Sequence, residues 1–174
     1  MRKIILPLIF PLVVYSQATD DKDFWRDFEF LIGEWAATES GRMGEGRGER
    51  KIELVLQNKY LYWKNKSTFE PQEKNSKGEV HEDWALISFD KIRKKFVMRQ
   101  FHVEGFVNQY VLESVSSDMK KLIFLSESIE NVPAGFKAKL TYEIISENEF
   151  IEYFELAPPR KEFTLYTTNH WRKR

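Results

Sequence analysis

Apolar residues along the chain recur in two regimes. Within 20–32, Phe24, Trp25, Phe28 and Leu31 are spaced by one, three and three, which predicts a short amphipathic helix with these side chains together on one side. From Gly33 onward the interval falls to two. Segments rich in Val, Ile, Phe, Tyr and Thr alternate with polar residues and are separated by turns at short, regular intervals, the pattern of antiparallel strands. Ten segments qualify: 34–39, 50–56, 60–69, 80–89, 95–103, 106–114, 121–128, 136–145, 149–156 and 162–171. The most loop-like stretches are 41–48, with four glycines, and 71–78, which is polar and turn-rich.

Sequential hairpins make a meander, and a long meander avoids exposed edges by closing on itself. The expected fold is therefore all-β: a ten-stranded antiparallel up-and-down β-barrel with a short N-terminal helix as plug or lid. Ten strands enclose more space than their own side chains easily fill, so function is expected inside the lumen.

Residues 1–18 stand apart. Arg2 and Lys3 precede an apolar run over 4–14, and Ser16-Gln17-Ala18 offers small residues around a cleavage point, as in a secretory signal peptide. The run is too short, and too interrupted by Pro7 and Pro11, for a membrane span. The expectation is an exported chain, periplasmic or secreted, with one domain over 19–174. The 27 basic and 27 acidic residues form no basic stripe, which argues against a nucleic-acid partner. Without cysteine there is no disulfide, Cys-ligated zinc or cysteine nucleophile, and the core alone must hold the fold. No oligomeric state is read from the sequence.

The run Phe30-Leu31-Ile32-Gly33-Glu34-Trp35, a short helix leading into Gly-x-Trp at the first strand, resembles the opening of lipocalin-like (calycin) barrels, and particularly of the bacterial nitrobindin-like group. The resemblance implies that a basic residue of the last strand lies against Trp35, with Arg172 and Arg174 as candidates, and that Trp35 closes the barrel floor. It also implies haem, with redox or nitric-oxide-related chemistry, held by a histidine near the start of the last strand. Residues 161–167 contain no histidine, and His170 comes late.

Alternation divides the middle strands into two faces. A two-residue Glu104-Gly105 hairpin turn puts Val80, Glu82, Trp84, Leu86, Val97, Arg99, Phe101, Val103, Phe106, Asn108, Tyr110 and Leu112 on one face. This face is the more aromatic and carries few polar groups, as a small-molecule cavity does, and it is expected inward. Trp84, Phe101 and Phe106 would supply contact area, Asn108 and Tyr110 would orient a guest, and Arg99 would neutralise an acidic head group. Arg99 with Tyr110 is similar to the Arg/Tyr carboxylate clamp of fatty-acid-binding barrels; the alternative is a structural ion pair of Arg99 with Glu82 or Glu127. The opposite face holds His81, Asp83 and His102, a set able to ligate a metal or move protons.

Ser126 and Ser128 lack a nucleophile elbow, and Glu147, Glu149, Glu152 and Glu155 read as a solvated outer face. The leading functional expectation is a non-enzymatic carrier or sensor of a small hydrophobic or amphipathic molecule, without cofactor. The alternative is a haem- or metal-binding barrel. The export reading predicts a mature chain starting within about two residues of Thr19; intact-mass measurement of the native protein checks it, and a retained Met1 contradicts it.

Overall fold

The computed structural model describes residues 24–174. The signal peptide and the start of the predicted helix lie outside these residues. Ten strands follow one another: β1 Gly33–Gly41, β2 Gly44–Val55, β3 Tyr60–Phe69, β4 Glu79–Asp90, β5 Lys95–His102, β6 Val107–Val115, β7 Lys121–Glu130, β8 Lys137–Ser146, β9 Glu149–Ala157 and β10 Thr164–Lys173. Each pairs antiparallel with its neighbours in sequence, and β1 pairs with β10, so the sheet closes as the meander argument requires. Among the described residues no helix is long and apolar enough to cross a membrane.

The N-terminal element differs from expectation. Instead of an amphipathic α-helix, the described residues form a six-residue 3₁₀ helix, Arg26–Leu31. Its physical reason lies in the spacing. Trp25, Phe28 and Leu31 are each three apart, so at 3.0 residues per turn they eclipse on one side, whereas an α-helix would rotate them apart. All three are buried at 0–1% exposure. The indole of Trp25 donates to the Asn58 carbonyl at 2.8 Å, tying the plug to the β2–β3 turn, where Leu56, Gln57 and Asn58 all have positive φ.

The glycine-rich stretch also departs from the reading as a loop. Only Arg42 and Met43 connect β1 to β2, and Gly44, Gly46 and Gly48 lie within β2. A Cβ at Gly46 would strike the Phe69 ring, and one at Gly48 would strike Glu39 and Trp171. Glycine is present here because large side chains from other strands occupy the space beside the wall.

Residues at alternate positions fill the half of the barrel next to the plug. Trp35, Ile52, Leu61, Trp63, Ala85, Ile87, Met98, Phe124, Tyr142, Phe150 and Trp171 form one buried cluster with Trp25, Phe28 and Leu31. Trp35 is fully buried, packs edge-on against Phe150 at 4.7 Å and donates its indole N–H to the Leu31 carbonyl at 2.7 Å. The cation over its ring is Lys173, with Nζ 5.3 Å from the centroid, and not Arg172 or Arg174, which pair with Glu149 and Glu49. Gly33, at φ +138°, leaves room for the Lys173 stem, which any Cβ there would meet. Trp35→Ala is expected to cost about 3–5 kcal/mol through the cavity it leaves, and Lys173→Met about 1 kcal/mol or less. Chemical denaturation of both variants checks the order.

Candidate functional site

Above the packed half, the lumen opens into a cavity of about 470 Å³. Its mouth is framed by the β1–β2, β3–β4, β5–β6, β7–β8 and β9–β10 connections, at the end opposite the plug. Phe69, Phe106, Phe136, Leu140, Phe154 and Leu156 supply apolar wall. Val132 and Pro133 of the β7–β8 loop also line it.

The floor of the cavity is polar, and the sequence reading named none of Glu39, Arg50, Asn65, Ser67 and Asn169 of this floor as site residues and put Asp83 and Glu152 on outward faces. Arg50 of β2 makes a bidentate ion pair with Glu152 of β9, at 2.5 and 3.1 Å, with both side chains buried. Its guanidinium lies 4.2 Å from the Trp171 centroid and 5.3 Å from that of Trp63. Arg50 Nε also donates to Asn65 Oδ1 at 3.0 Å, and Asn169 donates to Glu152 at 3.0 Å. From Asn65 the network continues to Asp83 at 2.9 Å, and Gln100 donates to the same carboxylate at 2.8 Å. On the other side, the Ser67 hydroxyl donates to Glu39 at 2.8 Å.

Each of these residues shares parity with core neighbours on its strand. Glu39 follows Trp35 and Ala37, Arg50 precedes Ile52, and Glu152 lies between Phe150 and Phe154. The reading of Glu152 as part of a solvated face is therefore corrected: it is 4% exposed because it shares parity with Phe150 and Phe154, whereas Glu149 and Glu155 are of opposite parity and lie on the other face of the strand.

The choice of inward face is corrected on β4 and β5. The turn to β6 closes on a His102–Phe106 pair and so holds three residues, Val103-Glu104-Gly105, not two: Gly105 N–H donates to the His102 carbonyl at 2.8 Å and His102 N–H to the Phe106 carbonyl at 3.2 Å, with Gly105 at φ +87°. The extra residue shifts the register by one, so that Gln100 faces Asn108 and Met98 faces Tyr110. One residue of slip exchanges the faces. Trp84 and Phe101 are consequently half-exposed on the outer wall, and Arg99 contacts Ser88 there. No clamp of Arg99 with Tyr110 forms, and Arg99 pairs with neither Glu82 nor Glu127, the latter being held by Arg93. Phe106, Asn108 and Tyr110 do line the cavity, together with His81, Asp83 and His102.

Electrostatics inside is dominated by acid. Burial pushes the Glu39 carboxyl up to about 7, partly opposed by the Ser67 hydrogen bond. Burial also disfavours the Asp83 anion, but His81, the Arg50 charge and Gln100 outweigh it and hold its carboxyl at about 2. His81 loses solvent, yet its hydrogen bonds to Asp83 and Glu104 raise it to about 9. Burial lowers His102 to about 4 and keeps it neutral. The single buried arginine among the described residues, Arg50, is consumed by Glu152. Asn169 must present Nδ2 to that carboxylate, which leaves its buried Oδ1 without a partner among the described residues; Asn108 Oδ1 is in the same position.

Haem does not fit these residues. Both ring nitrogens of His81 and of His102 face protein groups, and the Phe106 ring stacks on His102 at 4.0 Å. His170 pairs with Glu149 outside the lumen. Among the described residues no unpaired cation lines the cavity to receive propionates.

The Glu39 shift has a stability consequence. The unfolded chain loses this proton near pH 4.5, whereas the folded chain keeps it to about 7. The favourable contribution of the neutral carboxyl is thus complete below pH 4.5 and is lost as the pH rises through 7, by about 3 kcal/mol. Glu39→Gln is expected to stabilise the fold by about that amount at pH 8 and to change little at pH 4, as urea denaturation at the two pH values will show.

No family model matches the chain, and no curated protein matches it. Among solved structures, it is similar to Rv2717c from M. tuberculosis, with a TM-score of 0.63 and 13% identity over 86% of this chain and 96% of that one. A second structure, EF1p2_mFAP2b bound to DFHBI, is similar with a TM-score of 0.45 and 9% identity over 86% of this chain and 98% of that one. At 13% identity the likeness to Rv2717c is one of fold, that of a closed ten-stranded antiparallel barrel.

Proposed function

We propose that the protein is a carrier or sensor that binds one small amphipathic molecule in its lumen, with a hydrogen-bond-donating or cationic head on the floor and an apolar body along the wall. The observation that carries this reading is the acceptor-rich floor. Three buried carboxylates, Glu39, Asp83 and Glu152, and two unpartnered amide oxygens face one arginine that is already paired. A guest that brings donors satisfies buried acceptors; a guest that brings a carboxylate meets like charge in a site of low dielectric. The cavity volume lies in the range used for small ligands, and its aromatic and aliphatic walls match an apolar body.

Export agrees with a carrier or sensor and stands on the N-terminal residues alone. A placing near the nitrobindin-like group is supported by the ten-strand layout and by the cation over Trp35, without the haem that the group implies.

Calorimetric titration with decylamine, decanol and decanoate at pH 7.5 tests the head-group chemistry. The amine is expected to bind about tenfold or more tightly than the carboxylate, a difference of about 1.4 kcal/mol, with the alcohol between them. Glu39→Gln should weaken the amine and spare the alcohol. Decanoate binding tightest, or no binding by any of the three, overturns the reading.

A further inference from the structure

The cavity wall holds one cluster whose two histidines the proposed ligand reading does not use, although its carboxylate, Asp83, is also one of the floor acceptors. His81 and Asp83, two apart on β4, point to the same face, and His102 of β5 lies directly opposite Asp83 in the register. His81 Nε2 is 3.5 Å from Asp83 Oδ2 and 3.4 Å from His102 Nδ1, and the three ligand atoms all lie within 4.8 Å of one another. Ligands bonded at 2.0–2.1 Å to a tetrahedral ion are separated by roughly 3.3–3.4 Å, and the two measured edges, 3.5 and 3.4 Å, are close to that length. The nitrogens face one another across a small gap, which suits an ion between them where it excludes a macrocycle above them.

We infer that His81, Asp83 and His102 form a site for a divalent transition-metal ion of the zinc class, with a further coordination position open to the lumen. Two imidazoles and one carboxylate favour zinc, cobalt or nickel over magnesium or calcium, which prefer all-oxygen surroundings. The surroundings orient each ligand. Glu104 Oε1 sits 2.7 Å from His81 Nδ1, the carboxylate–histidine arrangement that fixes a ring and directs its other nitrogen to a metal. Asn65 and Gln100 hold the Asp83 carboxylate. Asn108 lies 3.1 Å from His102 Nε2, and its amide can turn Oδ1 to accept that N–H when Nδ1 binds the ion. Phe106 stacks on the His102 ring and limits its rotation. The site opens on the same cavity, since all three residues line it.

Untagged full chain, stripped with chelator and titrated with Zn(II) in a calorimeter, tests the inference. One equivalent is expected to bind. His102→Gln should lower the affinity by more than about hundredfold, and Glu104→Gln by about tenfold, as the loss of an orienting group does. His170→Gln should change nothing. Co(II) in place of Zn(II) should give the intense visible bands of a four- or five-coordinate ion. If His102→Gln does not fold, judged by circular dichroism, His81→Gln at the partly exposed rim decides. Sub-stoichiometric binding, a weak six-coordinate Co(II) spectrum, or unchanged affinity in the folded histidine variants overturns the site. The amine titration runs in chelator, so failure of the metal site and failure of the ligand reading are separately visible.

Discussion

The arrangement of the lumen depends on how one buried cation is satisfied. Arg50 projects from β2 into a ten-stranded barrel and meets Glu152 on β9, three strands away around the wall with β1 and β10 between them. A guanidinium removed from water must find both a counter-charge and donors' partners for its N–H groups. Glu152 takes two of them and Asn65 a third, while Trp63 and Trp171 cover the planar faces. Indole, guanidinium and indole together span space that single side chains from opposing strands would leave empty. Below that layer the core is packed and apolar; above it the floor is polar, the walls are largely apolar and the barrel is open. A buried ion pair is weak evidence for net stability, because desolvation offsets much of its attraction, but removing either partner alone would strand a charge. Its role here is to fix where the core ends.

The rest of the polar floor follows from that boundary. Asn65 accepts from Arg50 and donates to Asp83, so the same side chain that completes the cation's shell also orients a carboxylate on the next strand. Asp83 is then held ionised beside His81. Glu39 has weaker compensation, from the Ser67 hydroxyl and the charge of Arg50, and burial pushes its carboxyl up to about 7. The glycine face of β2 contributes by omission: Gly44, Gly46 and Gly48 place no side chain above Arg50, and Glu39, Trp171 and Phe69 occupy the room beside them.

Much of the fold was legible because period-two alternation is a local property: all ten segments became strands, with ends within two residues of expectation except at the start of β2, which begins six residues early at Gly44. What escaped depended on contacts distant in sequence or on single-residue geometry. The spacing of Trp25, Phe28 and Leu31 contained the 3₁₀ form, since intervals of three suit three residues per turn, yet a short amphipathic helix gives nearly the same pattern. The glycines of 44–48 read as a loop because nothing local tells that Phe69 and Trp171 will press against them. Lys173 rather than an arginine covers Trp35 because of the pairing of β1 with β10, a closure between chain ends. Glu39, Arg50 and Glu152 were readable from parity with Trp35, Ile52 and Phe150; charge suggested surface where alternation said interior, and alternation was the stronger constraint.

The inverted face shows how much site chemistry rests on one turn. Glu104-Gly105 suggests a two-residue hairpin, which would have put Asn108 and Tyr110 on the same face as Arg99 and Phe101. The left-handed Gly105 instead ends a three-residue connection. That single residue turns Asn108 and Tyr110 inward beside His102 and Asp83, so that Asn108 bonds both Tyr110 and His102. It also sets Glu104 at the rim, within reach of His81 across the β4–β5 pair. Arg99, which a shorter turn would have grouped with Tyr110, stays outside, and with it goes the positive charge that an acidic guest would need. The length of the β5–β6 connection therefore decides both the polarity of the lumen and the convergence of the histidines, through the alternation of side chains that every strand obeys.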